Sequence, residues 1–293
     1  MSEHRAARTL LAAAAALGCS PDDWYTVRPR DAATDAPDTP RDADTADADA
    51  PCGRRDAGAA NGCPSGQMRC DGDCVPGPAH LYRGEDDACD TAGSYHATHA
   101  EAGYAAGRVG RAFALGGDDA RQYVALPPDV GDFGASDFTV SLWFVTTRDG
   151  DLLSKRPACW NTPPFTGLDL RMSRAGDLLL EVWTTGGHTA YHSAPGLNDG
   201  RWHHVAIVRR GEAMSLHVDG AAVSTGAIRG AMTDPSRTPT YLGVGRCASN
   251  APGANGTQDG TTWFDGLLDE VGFFPRALSE RELTATAQGR CAL

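Results

Sequence analysis

From about residue 79 onward, apolar and polar residues alternate in short runs separated by turn residues. In "DFTVSLWFVTT" Phe138, Val140, Leu142 and Phe144 fall on one face of an extended strand, with Thr139, Ser141 and Trp143 on the other. "RQYVAL", "GLDLRMS", "DLLLEVWT", "WHHVAIVRR" and "AMSLHVDGAAV" behave alike, and Asp219 and Gly220 divide the last into a hairpin across a tight turn needing positive φ. So many short alternating runs predict an all-β, two-sheet antiparallel sandwich. One stretch carries helix signals, near the C-terminus. Ser279 caps it, Glu282 reaches back to the cap nitrogen, Leu278 and Leu283 staple the first turn, and Gly289 stops it.

Upstream of this region the alternation disappears. "MSEHRAARTLLAAAAALGCS" has a positive start (Arg5, Arg8), a short apolar stretch and small residues before Cys19, the layout of a secretory signal over 1–18. "ALGC" at 16–19 resembles the lipobox of bacterial lipoproteins, which implies that Cys19 becomes the lipidated first residue of the mature chain, with a membrane anchor that does not cross the bilayer. Residues 19–51 then read as a disordered Asp/Ala/Thr/Pro tether, too poor in large apolar groups to offset chain entropy. Residues 52–78 form a small segment with Cys52, Cys63, Cys70 and Cys74 among glycines. It is a disulfide knot or, at less favourable spacing, a zinc site.

Charge and cysteine count sharpen this picture. The formal net charge is -12, and residues 20–50 hold nine Asp against three Arg, so half of the excess lies in the tether. Such a chain lacks the basic footprint of a nucleic-acid partner. Lipidation of Cys19 leaves eight of the nine cysteines, a number that pairs completely in an oxidising compartment. No G-x-S-x-G elbow or phosphate loop occurs, so no organic cofactor is expected.

The strands and closing helix also carry a family resemblance. "LYRGEDDACDTAG", "GRVGRAFALGGDDARQYVALP", "DFTVSLWF", "NDGRWHHVAIVR", "MSLHVDG" and "FDGLLDEVGFFPRALSERE" follow in the order of the laminin G-like, concanavalin A-like lectin/glucanase superfamily, which includes the pentraxins. The resemblance covers residues 79–293. It implies a jelly roll whose concave face or rim loops bind sugars or proteins.

Several residues become candidates through that resemblance. Glu85 and Asp90 match acids of the opening motif and Asp269 the acid of the closing one, which implies either a structural calcium site or a metal-free loop brace. Cys159 and Cys247 lie in loops matching the pentraxin ligand loops, where they are expected to pair with each other. Cys89 and Cys291, at the two ends of the domain, are expected to form a second bridge, leaving Cys52, Cys63, Cys70 and Cys74 to pair among themselves. Trp160, Asn161, Asn250, Asn255 and Asp259 surround the proposed Cys159–Cys247 bridge with an aromatic plate and polar groups that suit a sugar, or else serve as plain connectors.

Catalysis is a weaker fit. A glycosidase needs two carboxylates roughly 5–10 Å apart, whereas Asp269 and Glu270 are chain neighbours that strict alternation sends to opposite faces, and "LLLEVWT" offers Glu181 alone. Assembly of acids from separate strands is the surviving hydrolase route. His203 and His204 likewise point apart on a strand and suit packing and hydrogen bonding rather than one metal. The expectation is a non-catalytic, lipid-anchored protein of the bacterial envelope, at the outer membrane or cell surface, binding carbohydrate or a surface glycoprotein. The alternatives are an envelope module for protein contacts without sugar binding and, third, a glycoside hydrolase. The sequence leaves the oligomeric state open.

Overall fold

A computed structural model describes Cys52 and residues 62–156, 166–234, 236–245 and 262–292. The chain forms β1 (Gln67–Cys70), β2 (Asp73–Pro76), β3 (His80–Tyr82), β4 (His99–Glu101), β5 (Gly103–Ala106), β6 (Arg111–Gly116), helix α1 (Gly117–Ala120) and β7 (Tyr123–Leu126). The central strands are β8 (Phe138–Thr146), β9 (Gly150–Lys155), β10 (Gly167–Met172), β11 (Leu178–Thr184), β12 (Gly187–His192), β13 (His203–Arg210) and β14 (Ala213–Val218). There follow β15 (Ala221–Ala227), β16 (Thr240–Leu242), β17 (Val244–Gly245), β18 (Thr262–Trp263), β19 (Asp265–Phe274), helix α2 (Glu280–Ala287) and β20 (Cys291–Ala292).

Two antiparallel sheets make the sandwich. One has seven strands in the order β12-β11-β10-β9-β16-β7-β4; the other has eight, β15-β14-β13-β8-β19-β6-β5, with β3 on β19. The alternation in β8 holds: Phe138, Val140, Leu142 and Phe144 enter the core between the sheets, where they join Leu168, Leu170 and Met172 of β10 and Leu178, Leu180 and Val182 of β11. The predicted hairpin joins β14 to β15, with Asp219 and Gly220 at φ 51° and 84°. Lys155, the single lysine in the sequence, is buried at the end of β9, where Nζ donates to the carbonyls of Pro128 (2.7 Å) and Thr238 (2.8 Å). Desolvation pulls its pKa down to about 8.

The helix α2 has the capping box its sequence predicts, with Ser279 Oγ accepting from Glu282 N–H at 3.3 Å and Ser279 N–H donating to Glu282 Oε2 at 2.8 Å. Leu278 and Leu283 are both buried beneath it. The one-turn α1 has no counterpart in the apolar pattern, because "GDDA" offers no apolar period to read.

The disulfides differ from expectation. Cys89 does not pair with Cys291; of the four upstream cysteines, Cys63 and Cys74 pair with each other as expected, while Cys52 and Cys70 pair outside their segment. The bridges are Cys52–Cys89, Cys63–Cys74 and Cys70–Cys291. The reason is strand pairing: β20 adds antiparallel to β1, and that register sets Cys291 directly opposite Cys70. The C-terminus therefore returns to the Cys-rich segment rather than to the opening loop that holds Cys89. Met68 and Cys70 of β1 also share a core with Ala206, Val208, Phe274, Leu278, Leu283 and Ala285. Two disulfides and this apolar cluster join residues 52–78 to the sandwich, covering part of the eight-stranded sheet's outer face. Cys19, Cys159 and Cys247 lie outside the described residues.

Candidate ligand-binding face

The outer face of the seven-stranded sheet carries a contiguous cluster of charged and aromatic side chains, among them the buried Asp151, Ser154 and Asp169. On β10 the core takes Leu168, Leu170 and Met172, so Asp169 and Arg171 point outward; on β11 the same logic turns Glu181 and Trp183 out. On β9 a register shift lets one extra residue in, so that both Leu152 and Leu153 reach the core while Asp151 and Ser154 share the outer face. Cross-strand register then sets Asp151 opposite Arg171, Ser154 opposite Asp169, Asp169 opposite Glu181, and Trp183 opposite His188.

Those side chains close a ring of contacts. Arg156 Nη1 lies 3.2 Å from Asp169 Oδ2, and its guanidinium sits 4.5 Å from the Trp183 ring centroid. Trp183 stacks on His188 at 4.9 Å with 21° between planes. His188 Nε2 is 3.2 Å from Glu181 Oε1, and Arg171 Nη2 donates to Glu181 Oε2 at 2.8 Å. Asp151 completes the circuit opposite Arg171, with its carboxyl beside the charge of Asp169. Burial, followed by the charge of Asp169, holds the Asp151 carboxyl well above the usual carboxylate range.

An aromatic patch continues this face on the far side of Ser154. Tyr241 of β16 is the register partner of Ser154 and of Ala125. Tyr123 lies 6.1 Å from both Tyr241 and Trp263 by ring centroids and stacks on His99 at 4.7 Å. Trp263 is half-buried against this cluster. The face thus joins paired donors and acceptors to aromatic surface, the mixture of a small-ligand site.

The acids expected to hold calcium do not act as one set. Asp90 Oδ1 accepts from the amides of Leu81 (3.0 Å), Ala92 (3.2 Å) and Gly93 (2.9 Å), and Oδ2 accepts from Tyr95 N–H (3.1 Å) and sits 2.8 Å from His80 Nδ1. Burial alone would raise its pKa, but those hydrogen bonds outweigh it and hold the carboxyl below its ordinary value. A carboxylate so occupied braces its loop and does not fit a cation ligand. Glu85 and Asp269 fit better. They flank one turn, with Glu85 Oε2 accepting from Arg111 N–H at 3.2 Å and Asp269 Oδ2 from Val109 N–H at 2.9 Å. At Gly107 a Cβ would stand 2.6 Å from Asp269 Oδ2, so this close approach requires glycine. Asp269 Oδ1 is buried without a hydrogen-bond partner, as an oxygen ligand would be, and desolvation raises the group to about 6.

Glu270 departs from the simple alternation. A bulge in β19 puts it at φ 49°, buried beside Arg83, and desolvation raises it to about 7 with Asp269 and Glu85 contributing. Among the described residues Cys52, Cys89 and His96 are also close enough for a metal, but the cysteines are bridged and His96 Nδ1 accepts from Asp90 N–H. His203 and His204 separate as alternation requires. His203 lies between Asp199 (3.2 Å) and Asp219 (2.9 Å), whereas His204 is buried against Trp143 with Nε2 2.8 Å from Ser141 Oγ. Trp143 faces outward on the other sheet under Arg108, 4.7 Å from its centroid.

Trp160, Asn161, Asn250, Asn255 and Asp259 lie outside the described residues. Sequence reasoning named Glu181 of the ring and did not reach Asp151, Ser154, Arg156, Asp169, Arg171 and His188. The alternation in "GLDLRMS" marks Asp169 and Arg171. Strand pairing is needed to bring the rest together.

A family model of the concanavalin A-like lectin/glucanases superfamily matches residues 118–284. Domain 4 of AbnA, a GH43 extracellular arabinanase from Geobacillus stearothermophilus solved with arabinotriose, is 18% identical, covers 72% of this chain and 98% of its own, and superposes with a TM-score of 0.53. The binding domain of Paraclostridial Mosquitocidal Protein 1 is 14% identical (76% and 52% covered, TM-score 0.54). Botulinum neurotoxin type C, whose cell entry depends on interaction with two ganglioside molecules, is 11% identical (73% and 51% covered, TM-score 0.53). The chain spans about half the length of these toxin structures, and at such identities the likeness is one of fold. No curated protein matches the sequence. The family match spans more than half of the chain, which therefore belongs to the concanavalin A-like lectin/glucanases superfamily.

Proposed function

We propose that this protein is a non-catalytic binding module for carbohydrate or a surface glycoprotein, displayed on the bacterial cell envelope by a lipid on Cys19. The observation that carries the reading is the outer face of the seven-stranded sheet, where the Asp151–Arg171–Glu181–His188–Trp183–Arg156–Asp169 ring runs into the Tyr123–Tyr241–Trp263 patch. Its paired charges and aromatic rings suit the hydroxyls and apolar faces of sugars. The arabinotriose complex of the similar arabinanase domain and the ganglioside dependence of the similar toxin support this class of ligand. Hydrolysis fits less well. Asp169 is held by Arg156 and Glu181 by Arg171 and His188, so these carboxylates are tied to cations rather than poised across a bond.

A glycan array probed with the full chain, once with calcium and once with chelator, tests the reading. Binding of defined oligosaccharides is expected; an array without signal in either condition favours the protein-contact alternative. Glu85 and Asp269 are our candidate structural calcium ligands, so signal weakened by chelator supports that site and indifference removes it. For the anchor, Cys19→Ala is expected to move the protein from the membrane to the soluble fraction, and continued membrane retention argues against lipidation.

A further inference from the structure

The same face holds three buried polar atoms with nothing to bond. Ser154 and Asp169 are 0% and 1% exposed, yet Ser154 Oγ and Asp169 Oδ1 have no hydrogen-bond partner, nor does Arg156 Nε. Ser154 and Asp169 are cross-strand neighbours, and Arg156 already grips the other oxygen of Asp169, so the three atoms belong to one spot. Each such orphan is destabilising unless something completes it. A cluster of three beside a stacked tryptophan is therefore a place built for a polar guest.

The charges around it restrict what that guest is. Arg156 is matched by Asp169 and Arg171 by Glu181, while Asp151 adds a further acid to the floor. An anionic group would meet carboxylates with both guanidiniums already engaged, and its burial would go uncompensated. A hydroxyl suits every vacancy: it donates to Asp169 Oδ1, accepts from Arg156 Nε, and does either with Ser154 Oγ. Cross-strand neighbours stand about 5 Å apart, within the span of one sugar ring.

We propose that Ser154, Asp169 and Arg156 form a subsite that reads the hydroxyls of a neutral sugar ring, and that the protein discriminates against acidic glycans. This inference rests on the carbohydrate-binding reading above and narrows it to a ligand class.

The test is calorimetric titration of the full chain, its Ser154→Ala variant and its Asp169→Asn variant. The probes are neutral arabinan, galactan and glucan oligosaccharides beside uronate- and sialate-bearing ones. Neutral oligosaccharides are expected to bind, and both substitutions are expected to weaken them at least tenfold. Ser154 Oγ makes no hydrogen bond, so Ser154→Ala should leave the thermal melt unchanged, a combination a merely structural serine would not give. Binding confined to acidic oligosaccharides overturns this inference and leaves the broader reading standing. Neutral binding undiminished in both variants also overturns it, and assigns the three atoms to trapped water. Failure of every oligosaccharide to bind removes the broader reading together with this one.

Discussion

A chain that begins at residue 79 is expected to lose its cooperative thermal transition and to aggregate, even though it retains nearly every strand of the two main sheets. Two physical losses combine. Without β1 and β2, the apolar surface of Val208, Phe274, Leu278 and Leu283 that packs on Met68 and Cys70 faces water. Cys89 and Cys291 also lose their partners Cys52 and Cys70 and become free thiols that can cross-link chains. The terms can be separated. Cys70→Ala with Cys291→Ala removes a bridge across 221 residues and is expected to cost roughly 2–5 kcal/mol, while Met68→Ala, at a side chain 1% exposed, costs about 2–5 kcal/mol through transfer and cavity terms. Urea unfolding of the three proteins, followed by circular dichroism, measures each. A chain starting at residue 79 that melts as the full protein does would refute the account.

The same contacts distinguish the two outer faces of the sandwich. On the eight-stranded sheet the outer face carries Ala206, Val208 and Phe274 under α2 and β1, and Trp143 under Arg108. There Ser141 and His204 tie to each other. The other sheet presents the charged ring and the aromatic patch.

Much of the sandwich was legible because β8, β10, β11 and β13 alternate without interruption, and local rules fixed α2 and the Asp219–Gly220 turn. Two bulges hid the rest. In β9 the adjacent Leu152 and Leu153 both enter the core, so counting by twos from Ser154 sends Asp151 to the wrong side. In β19 the same counting sends Asp269 and Glu270 to opposite faces, whereas the bulge buries both. Two of the three bridges depart from expectation for a related reason. Cysteine partners follow from which strands pair, and nothing local in "GRCAL" announces that Cys291 joins the sheet of Cys70. Alternation reports faces; register reports neighbours, and sites are made of neighbours.

Acidification from pH 6.5 to pH 4 is expected to remove up to about 3 kcal/mol of stability through His204 alone, and His204→Gln is expected to abolish that component. Desolvation dominates at this fully buried ring, lowering its pKa from 6.5 to about 4 against the opposing pull of Asp219 and with the aid of His217. Between those values the unfolded chain takes up a proton that the folded chain refuses, so stability falls as pH falls; below pH 4 both states are protonated and the loss ends. Asp269 and Glu270 act in the opposite sense, since folded pKa values raised to about 6 and about 7 make the native state the better proton acceptor as acid is added. The parent protein alone therefore gives a blended profile. Comparing it with His204→Gln cancels the carboxylates, because glutamine keeps a hydrogen bond for Ser141 Oγ and does not titrate. Denaturant unfolding at half-unit pH steps should show the two stability curves diverging by up to that amount, with the parent losing more as pH falls. Parallel curves would mean that His204 gains its proton without cost, and that Trp143 and Ser141 do not hold it in a dry site.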